Sequence, residues 1–433
     1  MSAARVAADG GSGRGAPRPS SADFAFSDLN PTAQRIVQAA RRVLVRDGYA
    51  GLTLRAIGSE AGETKSLIVY HFGGKDGLVT ALVDSLWHDE DVDLVRRLRD
   101  LPGSPRDRVR MLIDVHHALA LEEPEYRMYF DLLPSLMRDA RARRRHAELN
   151  ETYRMLGVMA LEGTALDAAE QRALAGLLLA ADEGAAVLLQ IEGTAFDHDA
   201  VFALLSELSA VRAGVGERAD GGRAAGQRPA RDFRPCQAPP PGDPSAELAP
   251  VARRLLDGAM DVLAHDGLAA VTFEAVAEAS GEPRSATTYY YGEKRNLLLA
   301  IHETLVFRAR RLATGRMRRA AAGGWQQDPL SQALRRLPSS LPTFRSIYEL
   351  LPALMRDDDM RAGHARFLTW LRTTMAGSVA EACGRTVDPA LLDLTLALSY
   401  GLAIQLLLDR RGLDAAPVFD MWDSLLAEAG PAG

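Results

Sequence analysis

The segment GETKSLIVYHFGGKDGL (Gly62–Leu78) returns 219 positions later as GEPRSATTYYYGEKRNL (Gly281–Leu297). No single feature of the chain limits its fold more. Arg35–Leu86 aligns with Arg254–Leu305 without a gap and agrees at 18 of 52 positions. Farther on, YFDLLPSLMRD (Tyr129–Asp139) parallels IYELLPALMRD (Ile347–Asp357) at an offset of 218, and Gly184–Gln190 parallels Gly401–Leu407 at 217. Two single-residue deletions across such a span mark a duplicated domain. A chain of 433 residues also exceeds what one ordinary core accommodates.

The period inside each copy is helical. Ile36, Ala40, Val43 and Leu44 share one face, which ends at Asp47-Gly48; Leu255, Ala259, Val262 and Leu263 repeat it, ending at Asp266-Gly267. Thr53 and Thr272 are placed to cap a short second helix. A third begins near Thr64, or at Pro283, whose missing N–H suits a first helical position. A fourth opens at Lys75 and Lys294, with Leu78, Leu82 and Leu86, or Leu297, Ile301 and Leu305, as its buried stripe. Strand-favouring residues are sparse and Ala, Leu and Arg abundant, so the expected fold is all-α.

Two short helices joined by a tight glycine turn make a helix-turn-helix. Its second helix is narrow enough for the DNA major groove, about 12 Å wide. Lys65 and Ser66 fall in the first turn of that helix, where amides and partial positive charge meet phosphates. Leu67, Ile68, Val69 and His71 are expected on the face that meets bases, against Ala286, Thr287, Thr288 and Tyr290 in the second copy. Tyr70 follows Ser66 by one turn and is placed to reach the backbone. Lys75 is placed to hold phosphates from the start of the next helix. The second copy offers Arg284, Ser285, Thr287, Tyr289, Tyr290 and Lys294 in the same places. Phe72 and Tyr291 read as core.

These residues resemble the DNA-binding domain of the tetracycline-repressor (TetR) family of transcriptional regulators. Thr53, Ile57, Ala61, Gly62, Thr64, Tyr70, His71, Phe72, Lys75 and Leu78 stand at that family's spacing, as do Thr272, Val276, Ala277, Gly281, Tyr289, Tyr290, Tyr291, Lys294 and Leu297. The resemblance implies two tandem TetR-like units, each a three-helix DNA-binding head on a larger helical body for ligand sensing and dimerisation. The layout read from the chain is a disordered tail (1–30), a head (31–86), a body (87–213), a Gly/Pro/Arg-rich linker (214–246), a second head (247–305) and a second body (306–430). Two departures from the family pattern stand out. Glu63 and Glu282 replace the apolar residue after the turn glycine, and Ser66 and Ser285 replace a glycine.

Charge separates the copies. Arg35–Leu86 carries seven basic and five acidic residues, net +2, whereas Arg254–Leu305 carries four and eight, net −4. Phosphate neutralisation supplies much of DNA affinity, so two working but unequal heads are expected, reading an imperfect palindrome in double-stranded DNA. The whole chain is mildly acidic, net −6, so any nucleic-acid contact is local. The apolar segments Leu174–Ile191 and Leu391–Leu408 are placed to form a four-helix interface, and Ala390–Leu408 reads as an interface helix and not a membrane span. A linker of this length reaches roughly 30–36 Å as a random coil, enough for the copies to pair within one chain as a pseudo-dimer; a homodimer with four heads is the alternative.

The remaining motifs point to structure. RDARARRRH (Arg138–His146) and RARRLATGRMRR (Arg308–Arg319) read as solvated helix faces. Asp114, His116, His117 and Glu122 have no recognised metal-ligand spacing, so no metal is expected. Asp197 or Asp199 is placed to cap a helix. Cys236 and Cys383 make no disulfide framework and suit a reducing cytoplasm. With no nucleophile–base pair or phosphate loop, neither an enzyme nor a bound cofactor is expected. The partners implied are double-stranded DNA and an unidentified small-molecule effector held in a body; a protein-interaction scaffold is the rival class. The N-terminal stretch has no apolar core of a signal peptide, so the expected location is the cytoplasm.

Overall fold

The computed structural model describes residues 29–85, 103–121, 123–216, 242–324, 326–409 and 414–429. Among these the chain is helical throughout and contains no strand. The first unit comprises α1 (Pro31–Gly51), α2 (Leu54–Ala61), α3 (Lys65–Phe72), α4 (75–85), α5 (Pro105–Leu121), α6 (Glu123–Arg138), α7 (Ala140–Ala160), α8 (Ala168–Glu192) and α9 (His198–Arg212). The second comprises α10 (Pro250–His265), α11 (Phe273–Ser280), α12 (Arg284–Tyr291), α13 (Lys294–Ala322), α14 (Pro329–Arg335), α15 (Leu341–Leu354), α16 (Asp358–Cys383), α17 (Pro389–Leu408) and α18 (Ala415–Glu428).

Each head follows from its pattern. Ile36, Val43, Leu44, Ile57 and Ile68 are fully buried in the first, as are Leu255, Ala259 and Val276 in the second. The α1 helix breaks at Gly48, with φ 67°, and Gly267 repeats the break with φ 87°, a backbone region that side chains disfavour. Helix α13 runs 29 residues without interruption, so the head–body boundary expected at 305 falls inside one helix. The tail and most of the 214–246 linker, Cys236 included, lie outside the described residues.

The two units pack through α8 and α17, which cross at small residues. A Cβ added to Gly184 would overlap the carbonyl oxygen of Ala397, and one added to Gly401 would overlap that of Ala180. Both helices are long and apolar enough to span a membrane, but 89% of each apolar window is buried inside the protein. Around this crossing the ion pairs are exchanged between units. Arg154 Nη2 meets Asp409 at 2.8 Å, while Arg372, at the equivalent position of the second unit, meets Glu192 at 2.6 and 2.7 Å. Arg138 holds both carboxylate oxygens of Glu349 at 2.5 and 2.6 Å, and Arg356 holds both of Asp131 at 2.5 Å. Each contact thus has a counterpart with donor and acceptor units interchanged, the pattern of an isologous two-fold interface.

Arg138 therefore is no solvated residue, and its segment is more engaged than its charge suggests. Arg145 pairs with Asp84, and His146 is 1% exposed with Nε2 2.8 Å from the Tyr129 hydroxyl. Asp197, and not Asp199, caps α9 by accepting from the Ala200 amide. His117 turns toward Asp199 at 2.7 Å and packs 4.4 Å from the His198 ring. Arg106 and Arg110 line the adjoining cavity, a poor setting for a cation. Asp114 faces Arg110 at 3.8 Å, whereas Glu122 and the His116 side chain lie outside the described residues.

Candidate nucleic-acid interface

The first head sets its second and third helices on two threonine caps. Thr53 accepts from the Ala56 amide at 3.1 Å, starting α2, and Gly62 ends it with φ 68°. Thr64 then accepts from the Leu67 amide at 3.2 Å and starts α3, which Gly73 closes. In the second head Thr272 and Gly281 bound α11 in the same way. Pro283 stands one residue before α12, at its N-cap, and not at its first helical position, with φ −60° and ψ 142°. A proline there leaves α12 without a side-chain cap.

The acidic residue after each turn glycine has a structural partner. Glu63 pairs with Arg35 at 3.0 Å and Glu282 with Arg254 at 2.6 Å, each tying the turn to the first helix of its head. Only the identical Arg–Glu spacing in both copies signals this in the sequence.

The exposed residues of α3 are Lys65, Ser66, Val69 and Tyr70, with Tyr70 66% exposed and edge-on to the His71 ring. Leu67 and His71 are half-buried, and the two capping threonines are exposed. On α12 the exposed set is Arg284, Ser285, Thr288, Tyr289 and Tyr290, the two tyrosines meeting edge-to-face at 5.0 Å. Val69 and Thr288, expected on the recognition faces, are exposed there. Phe72 and Tyr291 are core, and the Tyr291 hydroxyl donates to the Ala252 carbonyl at 2.7 Å.

Two residues expected on the recognition faces are elsewhere. Thr287 is fully buried at the position equivalent to Ile68, so it packs into the head and does not face outward; its hydroxyl has no hydrogen-bond partner. Ile68, also placed by sequence on the recognition face, is likewise core. Lys75 donates to the Tyr49 carbonyl at 3.3 Å and sits 3.8 Å over the Tyr49 ring; burial lowers its pKa. Lys294 donates to the Leu268 carbonyl at 3.4 Å, and burial lowers its pKa too. Both lysines thus lie against the end of their head's first helix, Lys75 half-buried and Lys294 exposed. Lys294 also lines a cleft of about 550 Å³ between heads and bodies, with Asp76, Arg138 and Arg356.

The comparisons with known proteins converge on this geometry. The family model described as bacterial regulatory proteins, tetR family, matches residues 36–82 and again 255–301. The chain is 34% identical over 88 residues to HTH-type transcriptional regulator BetI 1 of Chromohalobacter salexigens, covering 20% of this chain and 43% of that protein. It is 42% identical over 64 residues to TtgR of Pseudomonas putida, covering 15% and 30%. It spans less than half the length of either. An uncharacterized HTH-type regulator of P. putida, TtgW, is 30% identical over 103 residues, covering 24% of this chain and 77% of the relative. Capped helix-turn-helix heads, a doubled family match and helical bodies together place the chain in the TetR family of bacterial regulatory proteins, as two units in tandem.

Proposed function

We propose that the chain is a sequence-specific transcriptional repressor in the cytoplasm, acting as a covalent pseudo-dimer and released from DNA by a small-molecule effector. The observation that carries this reading is the exchanged set of ion pairs around α8 and α17. They join the two units as two subunits of a dimer are joined, and they leave the N-terminal turns of both α3 and α12 exposed. Lys65, Ser66 and Tyr70, and Arg284, Ser285, Tyr289 and Tyr290, are the proposed DNA contacts, with Thr53, Thr64 and Thr272 as caps whose hydroxyl hydrogens remain able to meet phosphate.

The unequal charge of the heads and their different exposed residues support an imperfect palindrome as operator. Selection from random DNA should return two related but non-identical half-sites about one helical turn (~34 Å) apart. Recovery of a perfect inverted repeat would count against unequal heads. The second head's net charge of −4 favours one other reading, a protein-interaction scaffold with that head silent. In that case Arg284→Ala would leave DNA affinity unchanged.

A further inference from the structure

Within the second body, α13 to α17 surround a cavity of about 180 Å³ that opens on one side to solvent. Its wall is apolar and partly aromatic, built from Phe344, Ile347, Phe367, Leu371 and Met375, with Leu312 at 45% exposure. Two half-buried arginines, Arg316 and Arg336, also line it.

Their surroundings are unusual for this chain. Arg316 donates to the Ser340 hydroxyl at 2.5 Å, the Ser339 hydroxyl at 2.9 Å and the Ser339 carbonyl at 3.3 Å; Arg336 donates to the Arg316 carbonyl at 3.5 Å. Every acceptor is neutral. Among the described residues neither arginine has a carboxylate within ion-pair distance, whereas the neighbouring Arg335 pairs with Asp420 and Asp423, and Arg385 with Asp328. Burial, then Arg336 and Arg319, lowers the Arg316 pKa, as befits a guanidinium held among like charges. Partly desolvated cations without counterions are costly, and an apolar chamber beside them offers the rest of a ligand somewhere to go.

We propose that this cavity binds a compact apolar molecule carrying one anionic group, with the anion between Arg316 and Arg336 and the apolar body against Phe344 and Phe367. The proposal rests on the effector-control reading for its biological role, but not for its chemistry.

Isothermal titration of the full-length protein with 2-naphthoate, 2-naphthylmethanol and 2-naphthylmethylammonium tests it, since the three differ chiefly in charge. Naphthoate is expected to bind once per chain, at least tenfold tighter than the alcohol, with the ammonium weakest. Arg316→Gln and Arg336→Gln should each bring naphthoate close to the alcohol while leaving the alcohol unchanged; Arg316→Lys should retain much of the preference. Ala313→Trp, which fills the cavity, should abolish binding of acid and alcohol alike. Equal or reversed preference among the probes, no binding by any of them, or indifference to both Gln variants overturns the proposal. Operator binding is read separately. Naphthoate bound through the arginines without effect on DNA would sink effector control and leave the anion site standing. DNA release by the alcohol alone would do the reverse.

Discussion

Thr287 shows how one side chain separates two otherwise matched heads. Where Ile68 fills the first head, Thr287 places an unpartnered hydroxyl in the second. Replacing it by Val keeps the shape and removes the buried polar group, so Thr287→Val should stabilise by about 1–2 kcal/mol, read as a shifted urea midpoint with unchanged slope. On the exposed faces, Lys65→Ala should weaken binding to all DNA sequences and reduce the salt slope by about 1, whereas Arg284→Ala should cost less.

Buried ionisable groups set the pH response at this same scale. Burial pushes Glu183 up to about 8 and His146 down to about 4, so at neutral pH both are uncharged around the Tyr129 hydroxyl. Native Glu183 keeps a proton that the unfolded chain releases above its ordinary 4.5, so its contribution is intact below that value and is lost as pH rises towards 8. His146 acts oppositely: the unfolded chain takes up protons below 6.5 that the native state refuses until about 4, and stability falls with pH across that window. Denaturation at stepped pH should therefore show a stability maximum between the two flanks. Glu183→Gln should remove the fall on the alkaline side and leave stability rising with pH from about 4 to 6.5.

At the scale of elements, the α8–α17 crossing depends on having no side chain at two positions. Gly184→Val or Gly401→Val would drive a side chain into the opposing backbone. Overpacking of this kind costs about 1–3 kcal/mol, and more where backbone must yield, so each variant should melt at lower temperature and expose the apolar faces, seen as dye binding. These helices were legible in the sequence because Leu174–Ile191 and Leu391–Leu408 are apolar around much of their circumference and occur at matching places in the repeat. The heads were equally legible: capping threonines, turn glycines and apolar spacing are local signals. What escaped was whatever depends on neighbours distant in sequence. Lys75 and Arg316 look like surface cations until tertiary packing turns one onto Tyr49 and the other into a cavity. Thr287 looks like a recognition residue only while its helix is read without the core behind it. The Arg138–Glu349 and Arg356–Asp131 pairs were hidden because oppositely charged residues in each unit find their partners in the other.

Across the whole molecule, those two arginines link each body to the opposite head. The Arg356 guanidinium lies against Gly48, where an added Cβ would stand 2.7 Å from its Cζ, and Arg138 lies against Gly267. The glycines are the breaks from which the second and third helices of each head set off, so the proposed effector control predicts that movement between bodies reaches both heads together. Removing one arginine strands a buried carboxylate, which costs about 3–5 kcal/mol. Asp131→Asn with Arg356→Gln should restore much of that stability while uncoupling effector from DNA release, measured as operator affinity with and without effector. The full chain should sediment as a single 46.8 kDa species at concentrations where it binds its operator.

A linked pair of heads also changes the arithmetic of regulation. Two-chain regulators assemble before they bind, so occupancy falls steeply on dilution, and a defective subunit spoils the partner it captures. If the proposed pseudo-dimer is the DNA-binding form, occupancy should follow the first power of protein copy number. A damaged copy of the gene then removes its own product and nothing else. The proposal therefore predicts operator occupancy at very few molecules per cell.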